Sequence, residues 1–526
     1  MKLHQKIPFI EIDSIPDLIK DFLSGNLKGA EATAPLLHNY EAKIRQKQTS
    51  YADESRKVLA TVLEKQMKNL SGSQSANMVL MKENTTFTVT TGHQLNLFTG
   101  PVFFVYKILQ TIKTASYLKD HFPELNFVPV FWMATEDHDF EEINFFRTMD
   151  QHYFFNAASG GAVGRIKVQD TAFISQFESE FKDSVFGTEL ILMLKESYQP
   201  GKTLAEATRI LVNRLFADYG LLILDGDDPA LKKLMIPRFE EELFQQKLFQ
   251  ESKCQVDFLT EKYGKVQVNP REINLFYLTA TRNRIEATVG GFRIVDTDIQ
   301  FSVQEMREEL YRFPEKFSPN ALLRPVYQET VLPNLAYIGG NAEIMYWLEL
   351  KDYFTAVELP CPVLVPRNSM LFLSQKTLTK ISKRNLSVKD FFMDFNQVTA
   401  ALLMENNAIL ELLNRKERAL TESFDDIKNI AGKTDQSFGN LVQAEEARQL
   451  KSYRRMKKRL LRAERIKHYE MLEQLHQLYL QVHPGQTWQE RKWNFSVFYA
   501  DEGHAWLDTC LREMDVSRSE LIVMKF

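Results

Sequence analysis

The sequence predicts a doubly wound α/β core, a parallel sheet covered by helices on both faces, with two insertions and a following helical coiled-coil hairpin. Three observations predict it. Near-continuous apolar strands recur at 87–91, 127–134, 220–225, 332–338 and 362–366, and strands buried on both faces read this way. Several of them end in glycines or carboxylates and lead into a helical pattern, the signature of βα units. From 377 to 482 the apolar residues return at three- and four-residue steps, the spacing of a coiled-coil seam.

The elements follow in order. Residues 1–85 read as helical, with a Ser/Gly/Asn break at 71–77. A strand at 87–91, a helix at 102–119 and a strand at 127–134 form a βαβ unit with a right-handed crossover. Glycines 160, 161 and 164 punctuate short alternating segments at 151–167, which suggest an inserted β-hairpin. A helix at 204–219 leads into the strand 220–225, and Asp225-Gly-Asp-Asp-Pro229 reads as a turn and helix cap. Helical and short-strand patterns fill 230–320, broken at Asn269-Pro270 and Gly290-Gly291. The core resumes with the strand 332–338, a helix at 342–354 and a strand at 362–366. Two long helical runs then meet near Gly432 to Gly439, with Leu450, Met456, Leu460, Ala463 and Ile466 as seam residues. The expected domains are a core at 1–376 with insertions at about 150–200 and 230–320, a helical hairpin at 377–483, and a C-terminal segment at 484–526 that returns to the core.

Composition narrows the function. The 526 residues are 44% hydrophobic and 25% charged, an ordinary globular balance that can bury a large core. A formal charge of −4 gives no global reason to bind nucleic acid or an anionic membrane. The basic run at 451–467 reads as a solvated coiled-coil face, matched by acidic residues such as Glu445 and Glu446. Cys254, Cys361 and Cys510 stand far apart with no CxxC pair, which fits a reducing cytoplasm. The N-terminus lacks a signal-peptide core and no apolar run is long enough to span a bilayer, so a soluble intracellular protein is expected.

Candidate chemistry sits where strands end. Gly92-His-Gln-Leu-Asn-Leu-Phe-Thr-Gly-Pro101 breaks a strand at Gly92, offers His93 and Asn96, and opens a helix with Thr99 as N-cap beside Gly100 and Pro101. Free amides at that helix start would suit an anion. Trp132-Met-Ala-Thr-Glu-Asp-His-Asp-Phe-Glu-Glu-Ile-Asn144 puts Thr135, Glu136, Asp137, His138 and Asp139 at the carboxyl end of a core strand, where ligands of open α/β sheets bind. So dense a set of carboxylates needs a cation, a substrate amine or a raised pKa; Asp137 and His138 suit a base and its orienter, or ligands to a divalent ion. Ile338-Gly-Gly-Asn-Ala-Glu343 repeats the strand–glycine–helix form, with Gly339 and Gly340 allowing close approach and Glu343 placed to accept from an amine or hydroxyl. Arg367 follows the last strand, where a guanidinium suits a carboxylate or phosphate. Neither a Walker A nor a Rossmann GxGxxG sequence is present, and no spacing is specific for a metal.

These motifs, together with Pro366-Arg367 and Gln489-Glu490-Arg491, resemble the bacillithiol biosynthesis family BshC, the cysteine-adding enzymes, over essentially the whole chain. Glutamine is common in that family where this chain has His93, and proline where it has Asn341. The resemblance implies a Rossmann-like core with two connecting insertions, a coiled coil that pairs two copies, and the last step of bacillithiol synthesis, in which cysteine is joined to glucosaminyl-malate as an amide. Asp137, His138 and Glu136 would then be the catalytic candidates. Gly92, His93, Asn96, Thr99, Gly100, Thr135, Asp139, Gly339, Gly340, Glu343 and Arg367 would be the substrate-binding ones. An amide from a free carboxylate is uphill in water, so an activating nucleotide, ATP or ADP, is an inference from chemistry; the metal requirement stays open. The alternatives are a nucleotidyltransferase-like enzyme with another acceptor, disfavoured by the missing His-x-Gly-His, and a non-enzymatic coiled-coil scaffold.

Overall fold

A computed structural model describes every residue of the chain except Asn69, Ser159 and Gly432. It contains two compact units. One comprises Met1–Glu11, Ile15–Phe372 and Thr487–Phe526; the other comprises Ile12–Ser14 and Leu373–Gln486.

The first unit is built on a five-stranded sheet of β1 (Thr86–His93), β2 (Asn126–Met133), β3 (Leu222–Asp225), β4 (Asn334–Gly339) and β5 (Val363–Pro366). Its order is β5-β4-β1-β2-β3 and every neighbouring pair is parallel. The chain starts in the middle, moves out to one edge, then returns to fill the other side. That reversal leaves a crevice beyond the carboxyl ends of β1 and β4, the position where such sheets bind ligands.

β1 alternates threonine with apolar residues yet is buried on both faces up to Gly92. Its hydroxyls are satisfied internally. Thr88 and Thr90 donate to Asn334 Oδ1 (3.3 and 2.8 Å), and Thr91 donates to the Ile338 carbonyl (2.8 Å). Asn334 passes its amide to Glu329 (2.7 Å), whose other oxygen pairs with buried Lys47 (3.3 Å). The helix α1 (Phe103–His121) buries most of its length against the sheet, with Ala115 and Leu118 packed on Phe87, Val89 and Phe127.

Three local expectations are corrected. Residues 1–85 are not all helical: Lys2–Pro8 is a strand paired antiparallel with Glu520–Lys525, beside Ser369–Leu373. Its partner lies at the other end of the chain, so no local pattern announced it. The first insertion does hold a hairpin, but its strands are Phe145–Arg147 and His152–Phe154, and Val163–Arg165 is a 3-10 turn. The helix expected at 342–354 is split into α2 (Asn341–Glu349) and Lys351–Ala356. The second insertion closes with an antiparallel sheet in the order Gln300–Ser302, Gly291–Ile294, Arg282–Thr288, Leu275–Leu278, Phe317–Pro319.

The second unit contains the helices α3 (Ala408–Ala431), α4 (Gln436–Lys467) and α5 (Tyr469–Val482). Ion pairs Lys428–Glu446 (2.6 Å) and Lys457–Glu417 run across α3 and α4 in antiparallel register. Phe424, Ala431 and Val442 form the apolar cluster at the closed end. Asp435 caps α4 by accepting from Phe438 N–H (2.8 Å); Gly439 lies inside the helix, and Gly432 lies outside the described residues. The seam agrees with the expected one only in part. Leu450 and Leu460 lie on the half-buried line of α4, with Tyr453, Lys457 and Glu464, whereas Met456, Ala463 and Ile466 are exposed. Among the described residues no helix is long and apolar enough to cross a membrane.

Candidate functional site

A cavity of about 620 Å³ opens over the carboxyl ends of β1, β2 and β4. Gly92 sits opposite Trp132 on β2, and Thr90 opposite Tyr337 on β4, so the first motif lies between the other two. The second insertion supplies the far wall through Phe276, Arg282 and Arg284.

The β2 side carries the acidic cluster, and each buried acid meets a protein cation. Glu136 pairs with Lys232, whose fully buried ammonium also donates to the Phe317 carbonyl (2.6 Å). Burial raises the Glu136 carboxyl, and the Lys232 charge offsets this only in part. Asp137 accepts from Gln94 Nε2 (2.8 Å) and from the His138 backbone N–H (2.7 Å). Burial alone would raise the Asp137 carboxyl; hydrogen bonds from His138 and Gln94 and the charge of Arg282 hold it far below the usual carboxylate range. Thus Glu136 and Asp137 are compensated from within the chain by Lys232 and Arg282, and the net negative charge of 136–139 is left at Asp139 on the rim.

Arg282 fixes the histidine. Its Nε donates to Ser318 (3.0 Å), Nη2 to the Pro319 carbonyl (2.8 Å), and Nη1 to His138 Nδ1 (3.0 Å), while its guanidinium stacks on Phe276 at 4.1 Å. Arginine only donates, so Nδ1 is the acceptor and the proton of the neutral ring is on Nε2, 3.9 Å from Asp139. Asp137, His138 and Asp139 each present one ligand-type atom, all within 4.8 Å of one another. Asp139 is exposed at the rim. Thr135 lines the cavity through the turn and gives its hydroxyl to Asp225 at the end of β3.

The β4 side is a second network. Buried Lys107 on α1 donates to both Glu343 oxygens (2.8 Å each) and to the Gly92 carbonyl. Tyr337 OH also donates to Glu343 (2.6 Å). Burial opposes ionisation of Glu343, but Lys107 and these hydrogen bonds hold it at about 2. His93 packs on Phe103 and Phe104, with ring centroids 5.3 and 5.0 Å apart; burial and the Lys107 charge push it down to about 4.

Of the residues expected at the site, Gly92, His93, Thr135, Glu136, Asp137, His138, Asp139 and Glu343 line this cavity. Asn96, Thr99, Gly100, Gly339, Gly340 and Arg367 do not. Thr99 is not the N-cap of α1: it lies at φ 67 in a tight turn, buried, and Val102 holds the cap position. Asn494 closes that turn by donating to the carbonyls of Phe98 and Gly100 (2.6 and 2.7 Å), and Val102 N–H goes to the Trp493 carbonyl (2.8 Å). The expected anion cradle there is therefore filled by the chain itself. At Gly340 the amide is taken by Glu343 (3.3 Å). Arg367 is committed too: Nη1 and Nη2 grip Glu490 at 2.9 and 2.8 Å, with both side chains buried.

Sequence reasoning missed Gln94, Lys107, Lys232, Arg282, Arg324, Tyr337 and Tyr346. Lys107 carried a signal, a lysine inside the apolar run Phe103-Phe-Val-Tyr-Lys-Ile-Leu109. Gln94 and Tyr337 stood in or beside the motifs. Lys232, Arg282 and Arg324 are brought in by tertiary structure, and nothing local marks them.

Residues 6–368 match the family described as "Bacillithiol biosynthesis BshC, N-terminal Rossmann-like domain", and 370–526 match "Bacillithiol biosynthesis BshC, C-terminal coiled-coil domain". The chain is similar to proteins named "Putative cysteine ligase BshC" in three bacteria. That of Flavobacterium johnsoniae is 40% identical over 503 residues, 94% of this chain and 95% of that protein. That of Flavobacterium psychrophilum is 42% identical over 495 residues, 92% of each. That of Christiangramia forsetii is 38% identical over 532 residues, 99% of this chain and 98% of that protein. With both domains matched end to end on a Rossmann-like sheet and a helical hairpin, the chain belongs to the bacillithiol biosynthesis BshC family.

Proposed function

We propose that this chain joins cysteine to glucosaminyl-malate as an amide, the last step of bacillithiol synthesis. The observation that carries the reading is the cavity over β1 and β4, which offers an acidic wall to an amine and lies in a chain of this family. The bond forms between the cysteine carboxyl and the sugar amine. The ammonium nitrogen must lose two of its three protons, one before it attacks and one as the amide forms, and the carboxyl must first be activated by a nucleoside triphosphate, so that its oxygen leaves on the phosphoryl or adenylyl group. Asp137 is too weak a base to take a proton at neutral pH, so it holds the ammonium beside Asp139. His138 Nδ1 is the lone pair that receives the amine proton, once Arg282 yields it. Glu136, fixed by Lys232, shapes the negative wall without touching the reacting atoms. The cavity volume is of the size that small-molecule sites use, about 300–1,000 Å³.

The test is complementation. The chain, expressed in a bacterium that lacks the cysteine-adding step, is expected to restore bacillithiol and consume glucosaminyl-malate, measured by mass spectrometry. His138→Ala and Asp137→Asn are expected to reduce the thiol at least tenfold at equal protein level. Precursor that persists beside folded wild-type chain would overturn the reading.

Copies pair through the α3–α4 hairpin, a reading supported by exposed Ile427, Ile430, Phe438 and Leu441 near its closed end. Sedimentation of wild type and an Ile430→Asp, Leu441→Asp variant tests this, with a monomeric wild type as the refuting result. The chain works in the cytoplasm, where its three free cysteines stay reduced.

A further inference from the structure

The cations around the cavity fall into two groups. Lys107 pairs with Glu343, Lys232 with Glu136, Arg282 lies 4.0 Å from Asp137, and Arg367 grips Glu490. Arg324 differs from these four. It is half-buried at the start of the helix Arg324–Val331, it lines the cavity, and its hydrogen-bond partners are uncharged. Nη1 donates to Gln328 Oε1 (3.0 Å), and Nη2 donates to Tyr337 OH (3.4 Å), with the guanidinium 5.5 Å above the Tyr337 ring. Among the described residues it forms no ion pair with a carboxylate. Glu343, the acid whose charge acts on Arg324, is already taken by Lys107, Tyr337 and Gly340. The network therefore orients the Arg324 guanidinium without neutralising it, and a partly desolvated charge of this kind is stabilised by an anion from solution.

Gly92 makes room for that geometry. A Cβ at position 92 would stand 3.3 Å from Arg324 Nη1 and 3.6 Å from both the Trp132 carbonyl and Tyr337 OH. The glycine of the first motif thus admits the arginine to the end of β1, at the reversal point of the sheet. Arg284, exposed on the same cavity, adds a second positive charge at the mouth.

We propose that Arg324 is the carboxylate anchor of this cavity, and that it holds the malate end of glucosaminyl-malate while the acidic wall takes the amine. The identity of the carboxylate rests on the ligase reading; the anchor itself rests on the unpaired guanidinium. Calorimetric titration of the full chain with L-malate, glucosaminyl-malate and glucosamine tests it. Arg324→Gln is expected to weaken malate and glucosaminyl-malate binding by about 10- to 100-fold, the range for a charge-assisted hydrogen-bond pair, and to leave glucosamine binding unchanged. Arg324→Lys keeps the charge without the fork and is expected to recover part of the loss, which also covers the case in which the glutamine variant does not fold. Wild type that binds no malate, or folded Arg324→Gln that binds it within twofold of wild type, overturns the anchor. Binding that depends on Arg324 in a chain unable to make the thiol upholds the anchor and removes the ligase reading. Thiol formation with an unchanged KM for glucosaminyl-malate in Arg324→Gln does the reverse.

Discussion

His93 gives the chain a measurable sensitivity to acid. Its ring lies against Phe103 and Phe104, Nδ1 faces the Gln94 carbonyl at 3.1 Å, and the Lys107 ammonium is part of the same buried network. Burial and that ammonium lower the imidazole from 6.5 to about 4. The unfolded chain therefore binds a proton near pH 6.5 that the folded chain refuses until about pH 4. Stability that is fully present above 6.5 is lost as the pH falls toward 4. The difference converts to about 3 kcal/mol at the acid limit and about 2 kcal/mol at pH 5. The ring is half-buried, so screening by solvent makes these figures ceilings. His93→Gln removes the titration and keeps a polar side chain. All five tryptophans lie in the unit that holds the sheet, so urea unfolding followed by their fluorescence reports on it alone. Wild type is expected to lose up to about 2 kcal/mol more than His93→Gln between pH 7 and pH 5. Losses that agree within about 0.5 kcal/mol would refute the assignment, because that falls inside the error of such extrapolations.

Other perturbations probe the rest of the framework. Glu490→Gln leaves the Arg367 guanidinium buried opposite a neutral amide, and a broken buried pair costs about 3–5 kcal/mol, so a urea-measured loss below about 1 kcal/mol would count against the pair. Gly164→Ala forces a methyl to within 2.6 Å of Thr135 Cβ and 2.9 Å of its carbonyl, and a destabilisation of about 1–3 kcal/mol is expected by the same assay. Arg282→Gln removes one of the charges that hold Asp137 low, so the acid limb of thiol formation should move to higher pH; an unmoved limb would sever the link. Val442→Asp places a charge in the cluster of Phe424 and Ala431, and the helical circular dichroism of the second unit should melt at lower temperature.

Much of this molecule was readable from local pattern. The buried strands, the reversal of sheet order implied by βα units, and the acidic motif at the end of β2 all follow from residue types at fixed spacing, because burial on two faces and turn chemistry act over a few residues. Asp137, His138 and Glu343 were legible for that reason. The coiled-coil hairpin was legible as helices, but its seam only in part: Leu450 and Leu460 keep their expected place, whereas the fit of α3 on α4 leaves Met456, Ala463 and Ile466 exposed and selects Tyr453, Lys457 and Glu464 instead.

What the tertiary structure decided was pairing. Arg367 looked free in sequence and is held by Glu490, a residue 123 positions away. Glu136 and Asp137 looked uncompensated and are matched by Lys232 and Arg282, which arrive from the second insertion. The strand Lys2–Pro8 found its partner at the opposite terminus. Charge compensation and strand pairing depend on distance in space, and a one-dimensional pattern carries no record of which distant segments meet. By itself the sequence determined the buried core strands, the helices that connect them and the motifs that end them; the folded chain determined which charges remain for a ligand, and Arg324 is, among the described residues, a half-buried cation that it leaves lining the cavity without a carboxylate.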